Sequence, residues 1–427
     1  MAQPNILWIL TTQWRAQATG YAGDPNARTP WLDGLADGAV NFTQAVTPHP
    51  LGPQARAALL TGRLCPENGV SDYWDPLPVY AGPAEPPGGR VPPLGRTVAH
   101  ALADRGYTTA FFGKWHLAER DRTAPLVGEA HARMIVPTER RGGFSLWEGF
   151  ESGFLLNDPW LHGTRMETPR HFKGYQADVL VQRAAAWSRE RGVESGEGRR
   201  PYFCVVSLEA PHPPYHAPAP HVAEVRPAEL TLRANVPTGG DIERRAREEL
   251  AGYYAHIEAT DRAIGRLLAE VDLAETIVVF TSVHGDMHGS HGLFRKAWPH
   301  EESVRVPLLV RWRRNKVTSD KWQVARGESQ DPVSLVDLPH MAVAWAEGRE
   351  WHSKRDSAAI SLPAATAIPL QCPEAWRGFR SARHKLVLHA DGRPWLYFDL
   401  ERDPLEENNL ATDPTRQGEI EDFRRLM

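Results

Sequence analysis

Residues 5–11 read NILWILT, a continuous apolar run that indicates a buried strand. Similar runs recur at 107–113 (YTTAFFG), 202–210 (YFCVVSLEA) and 276–282 (TIVVFTS), and segments with helical spacing lie between them. Near-continuous apolar strands joined by helices are typical of a parallel sheet that helices cover on both faces. The sequence therefore predicts an α/β sandwich with a mostly parallel central sheet.

The helical segments and a further strand complete this pattern. They lie at 29–40, 53–63, 96–106, 175–191 and 242–271, with the strand VRVPLLVRW at 304–312. Past about residue 320 the pattern changes, since residues 377–404 show short alternating strands with a DG turn, which indicates a small antiparallel sheet. We expect two domains, residues 1–320 and 321–427.

Composition excludes several classes of function. The 427 residues carry 49 Lys and Arg against 53 Asp and Glu, a net charge of −4, so no basic excess is available for a nucleic acid backbone. The mean hydropathy is −0.45 and no apolar run is long enough to span a bilayer. The run at 6–10 lacks the basic start and cleavage site of a signal peptide, so we expect a cytoplasmic protein. Three scattered cysteines favour neither disulfides nor a cysteine metal site.

Ligands of such sheets bind beyond the carboxyl ends of the strands. The segments that follow the predicted strands are 11–17, 113–116, 210–215 and 282–296, and all four contain polar residues. These segments are therefore where we expect the functional residues.

These segments resemble the sulfatase branch of the alkaline phosphatase superfamily, which includes arylsulfatases and phosphonate monoester hydrolases. The similar segments occur in the family's order and are PNILWILTTQWR (4–15), RTPWLDGLADGAVNFTQAVTPHP (28–50), ARAALLTGR (55–63), GYTTAFFGKWHLA (106–118), APHPPY (210–215), VVFTSVHGDMHGSHGLFRK (278–296), EESVRVPLLVRW (301–312) and LYFDLERDPLEENNL (396–410). The resemblance implies an alkaline phosphatase-like domain over about residues 1–320 and a small α/β C-terminal domain.

The family's reactive groups are missing from the matching positions. The resemblance implies a calcium or manganese ion and a formylglycine nucleophile made from a cysteine, yet the nucleophile position is Gly52. The metal-ligand positions are Thr12, Gln13, Val283 and His284, of which only Gln13 and His284 retain a family donor. An isopropyl group cannot bind a metal, and the carboxylates that hard dications prefer are absent from these positions. We therefore expect no metal and no cofactor.

The residues that grip the substrate oxygens in the family are retained. The resemblance assigns catalytic positions to Gly52, Arg56, Lys114, His116 and His212, and substrate contacts to Arg56, Lys114, His116, His212, His284 and Lys296. The helix predicted to start at Pro53 directs its free N–H groups towards an anion beside Gly52. With the metal carboxylates lost, we expect Arg56, Lys114 and Lys296 to lack internal counter-ions and to attract an anion strongly.

A replacement site for a softer metal such as zinc is the less favoured interpretation of the histidine cluster. His284, His288 and His291 lie close to Asp286 in the sequence. However, His284 and His291 belong to the family's own pattern, so only His288 is new.

Three functions remain open. The first is a metal-independent, sulfatase-like enzyme that transfers a sulfate, sulfamate, phosphate or phosphonate group, or catalyses another non-hydrolytic step. The second is a catalytically dead anion-binding protein. The third is an ordinary sulfuric ester hydrolase in which Gly52 stands for a formylglycine, and only this interpretation requires calcium or manganese. The expected partner is a small anionic ester or amide, and the oligomeric state stays open, a homo-oligomer included.

Overall fold

The computed structural model describes residues 3–82, 94–193, 200–312 and 327–425. Its strands are β1 (Asn5–Thr11), β2 (Val40–Phe42), β3 (Ala45–Val46), β4 (Thr108–Lys114), β5 (Leu146–Phe150), β6 (Trp160–Gly163), β7 (Met166–His171), β8 (Tyr202–Ser207), β9 (Thr276–Ser282), β10 (Leu308–Arg311), β11 (Gly327–Ser329), β12 (Val333–Ser334), β13 (Ser357–Leu362), β14 (Trp376–Ser381), β15 (His384–His389) and β16 (Pro394–Asp399). Its helices are α1 (Pro30–Ala36), α2 (Gly52–Thr61), α3 (Val98–Ala103), α4 (Glu129–Ala132), α5 (Gln176–Val193), α6 (Asp241–Ala269), α7 (Glu301–Val304), α8 (Asp337–Ala346) and α9 (Gln417–Arg424).

The central sheet has ten strands in the order β11-β2-β10-β9-β1-β8-β4-β5-β6-β7. Strand β1 pairs in parallel with β8 and β9, and β4 pairs in parallel with β5 and β8. Strand β10 runs antiparallel to both β9 and β2, and β6 runs antiparallel to β5 and β7. The predicted mostly parallel α/β sheet is confirmed, with antiparallel strands added on both sides of its parallel centre.

Helices cover both faces of this sheet because the side chains of β1 alternate between two apolar cores. Leu7 and Ile9 join a core with α1, α5 and α6, whereas Trp8 and Leu10 join a core with α2, α3 and α8. All seven residues of β1 are buried. The continuous apolar run NILWILT therefore reflects a strand that packs against helices on both sides.

The C-terminal part contains the predicted small antiparallel sheet. Its four strands follow the order β13-β14-β15-β16, and Ile420 of α9 packs against the residues of β15 and β16. The predicted boundary at residue 320 lies outside the described residues and stays a prediction. Helix α8, beyond that boundary, packs on α2 and α3.

The parallel strands place their carboxyl ends at one edge of the sheet. Strands β1, β4, β8 and β9 end at Thr11, Lys114, Ser207 and Ser282. The polar segments that follow these strands therefore meet. Within the described residues, no helix has both the length and the apolar character that a membrane crossing requires.

Candidate functional site

A cavity of about 210 Å³ lies at this edge of the sheet. The residues predicted from the sequence that line it are Thr12, Gly52, Lys114, His116, His212, His284 and Lys296. Gln13, Arg56 and Val283 are buried, and Gln13 and Arg56 contact lining residues. The loops after four different strands thus build one site together with the N-terminus of α2.

Position 52 leaves space that a neighbouring histidine occupies. Helix α2 starts at Gly52, has Pro in its first turn and is capped at its other end by Gly62 in the left-handed conformation (φ 70°). A Cβ atom added to Gly52 would lie 2.8 Å from Nδ1 of His116. A side chain at position 52 therefore does not fit unless the His116 ring moves.

His116 is held in an uncommon conformation beside Gly52. Its backbone has a left-handed φ of 59°, and its amide donates to the carbonyl of Glu151 at 2.9 Å. Its ring meets the Tyr73 ring edge to face, with centroids 5.4 Å apart. Neither ring nitrogen has a hydrogen-bond partner among the described residues. Burial, followed by the charges of Arg120 and Lys114, lowers the pKa of His116 well below its ordinary value, so its imidazole is neutral.

Lys114 has an internal counter-ion, and the expectation that it would lack one is wrong. Its Nζ lies 2.6 Å from Oε1 of buried Glu209, whose other oxygen accepts from the Gln176 side chain at 3.0 Å. The ammonium also lies 4.3 Å from the centre of the Phe154 ring. Burial lowers the pKa of Lys114 to about 8, and Glu209 opposes that shift.

Arg56 is engaged inside the protein. Its guanidinium donates to the Lys114 carbonyl at 3.0 Å, to Ser207 Oγ at 2.7 Å and to Thr12 Oγ1 at 2.9 Å. Burial lowers the pKa of Arg56 to about 10, which leaves it charged at neutral pH. Arg56 supports the residues that line the cavity, and its own contact with an anion stays a prediction.

Lys296 bridges two other site residues. Its Nζ donates to Oε1 of Gln13 at 2.6 Å and lies 3.0 Å from Nε2 of His212. The His212 ring stacks on Phe154 with centroids 4.4 Å apart. Burial, followed by repulsion from Lys114, lowers the pKa of Lys296 to about 7. The ammonium therefore titrates close to neutral pH.

The four metal positions of the family do not fit a hard dication in this chain. The Thr12 hydroxyl accepts from Arg56, the Gln13 oxygen accepts from Lys296, and Val283 is fully buried without a donor in its side chain. At the fourth position, the Nδ1 atom of His284 lies 2.9 Å from the Gly285 carbonyl, and only its Nε2 atom has no hydrogen-bond partner among the described residues. Hard cations require several free oxygen ligands, usually with carboxylates among them. These positions therefore do not supply the ligand set that such an ion needs.

The nearby carboxylate Asp286 is also engaged. It accepts hydrogen bonds from the Gln13 amide and, at 2.7 Å, from the Tyr215 hydroxyl. Burial raises the pKa of Asp286, but the neighbouring His288, Arg295 and Tyr215 outweigh burial and lower this pKa to about 2. Its charge therefore holds Gln13 and Tyr215 in place.

The residues considered for zinc, namely His284, His288 and His291 with Asp286, do not lie close enough together to share one ion. Among the described residues, the group that is close enough to share an ion is His291, Glu302 and Glu406. Glu302 pairs with Arg233 at 3.1 Å, and Glu406 pairs with Lys385, so cations already neutralise this group.

Three important neighbours were missed by sequence reasoning. Glu209 lies at the end of an apolar run in the sequence. An isolated acidic residue at such a position indicates a carboxylate that is buried beside a cation. Phe154 and Tyr73 come from segments with little family pattern, and only the fold brings them to the cavity.

Comparisons with known proteins agree with this architecture. A family model described as Sulfatase matches residues 4–348. The chain is 32% identical to an ulvan-active sulfatase of Formosa agariphila, over 98% of this chain and 80% of that protein. It is 24% identical to an endo-4-O-sulfatase of Bacteroides thetaiotaomicron, over 99% of this chain and 91% of that protein. The crystal structure of a phosphonate monoester hydrolase of Agrobacterium radiobacter superposes with a TM-score of 0.69 at 20% identity, covering 99% of this chain and 94% of that one. This chain belongs to the sulfatase family.

Proposed function

We propose that this chain acts on a sulfate monoester whose sulfuryl group occupies the cavity between Gly52, Lys114 and Lys296. The observation that carries the proposal is the convergence of two ammonium groups and the His212 imidazole beside the N-terminus of α2. Lys296 has no acidic partner within hydrogen-bond distance among the described residues, so its charge is available to an anion. Free N–H groups at a helix start favour the same ligand.

The relatives favour a sulfated saccharide as the organic part of this substrate. The ulvan-active sulfatase matches almost the whole chain, and the endo-4-O-sulfatase does so as well. Sulfamate, phosphate and phosphonate groups share the tetrahedral anionic shape and are the competing ligands of the same cavity.

Hydrolysis of the ester is the reaction that the named relatives favour. Transfer of the group to a second substrate, which the sequence alone suggested, has no counterpart among those names. We therefore favour hydrolysis over transfer.

Binding without turnover is the second candidate function. The observation in its favour concerns the nucleophile position and two metal-ligand positions of the family. In this chain, the nucleophile position is Gly52 and the two metal-ligand positions are Thr12 and Val283. These side chains cannot form a formylglycine or supply carboxylates to an ion.

One experiment separates these functions. The purified protein is incubated with p-nitrophenyl sulfate and with sulfated oligosaccharides, with added calcium or manganese and with chelator, while released phenol and sulfate are measured. Isothermal titration calorimetry with sodium sulfate measures binding independently. Hydrolysis predicts sulfate release, transfer predicts phenol release without matching free sulfate, and binding alone predicts heat without product. Absence of both binding and product would contradict the proposal.

A further inference from the structure

We propose that His116 is the nucleophile of this chain and that its Nδ1 attacks the sulfur of the bound ester in place of the side chain absent at position 52. The inference rests on the proposed function, since it requires a sulfate ester in the same cavity.

The geometry places an imidazole nitrogen where a nucleophile is needed. Nδ1 of His116 lies 2.8 Å from the position of a Cβ on Gly52, at the first residue of α2. Both residues line the cavity together with Lys114 and Lys296. A nucleophilic atom at this position lies beside the same anion site that a longer side chain at position 52 would reach.

The hydrogen bonding of His116 leaves this nitrogen available. The ring is buried and has no hydrogen-bond partner among the described residues, which is costly for a polar group with only a structural role. Its left-handed φ of 59° is uncommon for a residue other than glycine. Such strain concentrates at functional sites.

A neutral imidazole also explains why metal carboxylates are dispensable. An alcohol must lose a proton to attack, and a metal ion usually supports that step. An imidazole already carries a lone pair, and because it is uncharged the anionic ester does not repel it. The absence of carboxylates at positions 12 and 283 therefore does not prevent His116 from acting as the nucleophile.

The reaction balances with the groups of this chain. With the ring proton of the neutral imidazole on Nε2, Nδ1 donates its lone pair to sulfur, and the bond from sulfur to the leaving oxygen breaks. The leaving oxygen keeps that electron pair and takes a proton from the Lys296 ammonium. The product is an N-sulfoimidazolium on His116 and a free alcohol. Water then attacks sulfur, the N–S bond returns its electron pair to Nδ1, Lys296 regains a proton, and sulfate and one proton leave.

The first experiment looks for the covalent adduct. The full-length protein is mixed with p-nitrophenyl sulfate, quenched rapidly in alkali to preserve an N–S bond, digested and analysed by mass spectrometry. We expect the peptide that contains residue 116 to gain one SO3 group. Phenol release with no adduct on this peptide, at any quench time, would overturn the inference.

The second experiment uses variants with a matched control. His116→Gln should lower phenol release on the order of 100-fold or more, and Gly52→Ala should also impair it because the added Cβ displaces the ring. His171→Gln, a histidine on exposed strand β7, should leave activity unchanged. Circular dichroism and sulfate calorimetry verify that each variant folds and binds.

The outcomes separate this inference from the proposed function. Sulfate binding without adduct or phenol release overturns the role of His116 and leaves the anion site standing. Unchanged turnover in folded His116→Gln does the same. Absence of any sulfate or ester binding contradicts the proposed function itself.

Discussion

Nζ of Lys296 lies 2.6 Å from the side-chain oxygen of Gln13. The resemblance to sulfatases makes this amide oxygen a metal ligand, yet here it accepts a hydrogen bond from a buried cation. The Gln13 amide nitrogen donates in turn to Asp286. A chain of lysine, glutamine and aspartate therefore occupies the place where a dication would need free oxygen atoms.

We expect the purified protein to hold no stoichiometric calcium, magnesium or manganese, because Thr12 and Val283 supply no carboxylate. Elemental analysis after dialysis checks this. The triple variant T12D/G52C/V283D serves as the comparison, since it restores two carboxylates. A stoichiometric, chelator-sensitive ion in the unmodified protein would contradict our interpretation of these positions.

Removal of Lys296 or of Lys114 should weaken sulfate binding. A hydrogen bond to a charged group contributes about 1.5–3 kcal/mol, so Lys296→Ala should raise the dissociation constant about 10-fold or more. Lys114→Ala should also weaken binding, because it removes one ammonium and leaves the buried Glu209 carboxylate without its partner beside the anion. Calorimetry with sodium sulfate measures both, and Lys173→Ala, an exposed lysine, is the control. Parent-like affinity in both site variants would refute the anion site.

Sulfate binding should weaken as the pH rises from about 6 to about 9. The pKa of Lys296 is about 7 and that of Lys114 is about 8, both lowered by burial. Since the ammonium forms bind the anion, binding is strongest below these values and is lost as the lysines deprotonate. Calorimetry across this range checks the sign, and Lys296→Met should remove the part of the change near pH 7. Binding that strengthens with pH would show that other groups hold the anion.

Gly52→Cys alone should not produce formylglycine-dependent, metal-stimulated hydrolysis of p-nitrophenyl sulfate. In this single variant, positions 12 and 283 supply no carboxylates to hold an ion that would activate the new side chain. The triple variant T12D/G52C/V283D, produced in a host that makes formylglycine, should regain metal-stimulated hydrolysis because the oxygen-binding residues are in place. The assay is phenol release with manganese or chelator. Rapid, chelator-sensitive turnover by the unmodified protein would show that the substituted ligands are not needed.

Glu209→Gln should destabilise the protein, since it leaves the buried Lys114 without its counter-ion. Breaking a buried ion pair costs on the order of 3 kcal/mol of unfolding free energy. Asp391→Asn, which removes an exposed pair with Arg393, is the matched control and should cost much less, because solvent screens an exposed pair. Urea denaturation at neutral pH measures both. Equal stability losses would indicate that the Lys114–Glu209 pair contributes no more than a surface pair.

The amino-acid sequence alone was enough to place strands β1, β4, β8 and β9 and to indicate the family. NILWILT is buried on both faces, so it had to be uniformly apolar, and its predicted bounds agree with those of β1. The segments after the strands were identifiable because parallel strands end at one edge of a sheet. Substitutions at positions 12, 52 and 283 were visible because the surrounding motifs are retained.

The arrangement of charges in the site depends on the folded structure. Glu209 and Lys114 are 95 residues apart in the chain, and no local pattern predicts that they form a buried ion pair. The same holds for Lys296 with Gln13, and for the ring of His116, which fills the space beside Gly52. These relationships depend on distances between loops that follow different strands. Local propensity and apolar periodicity describe each strand and helix by itself, whereas such contacts arise only when the sheet brings the loops together.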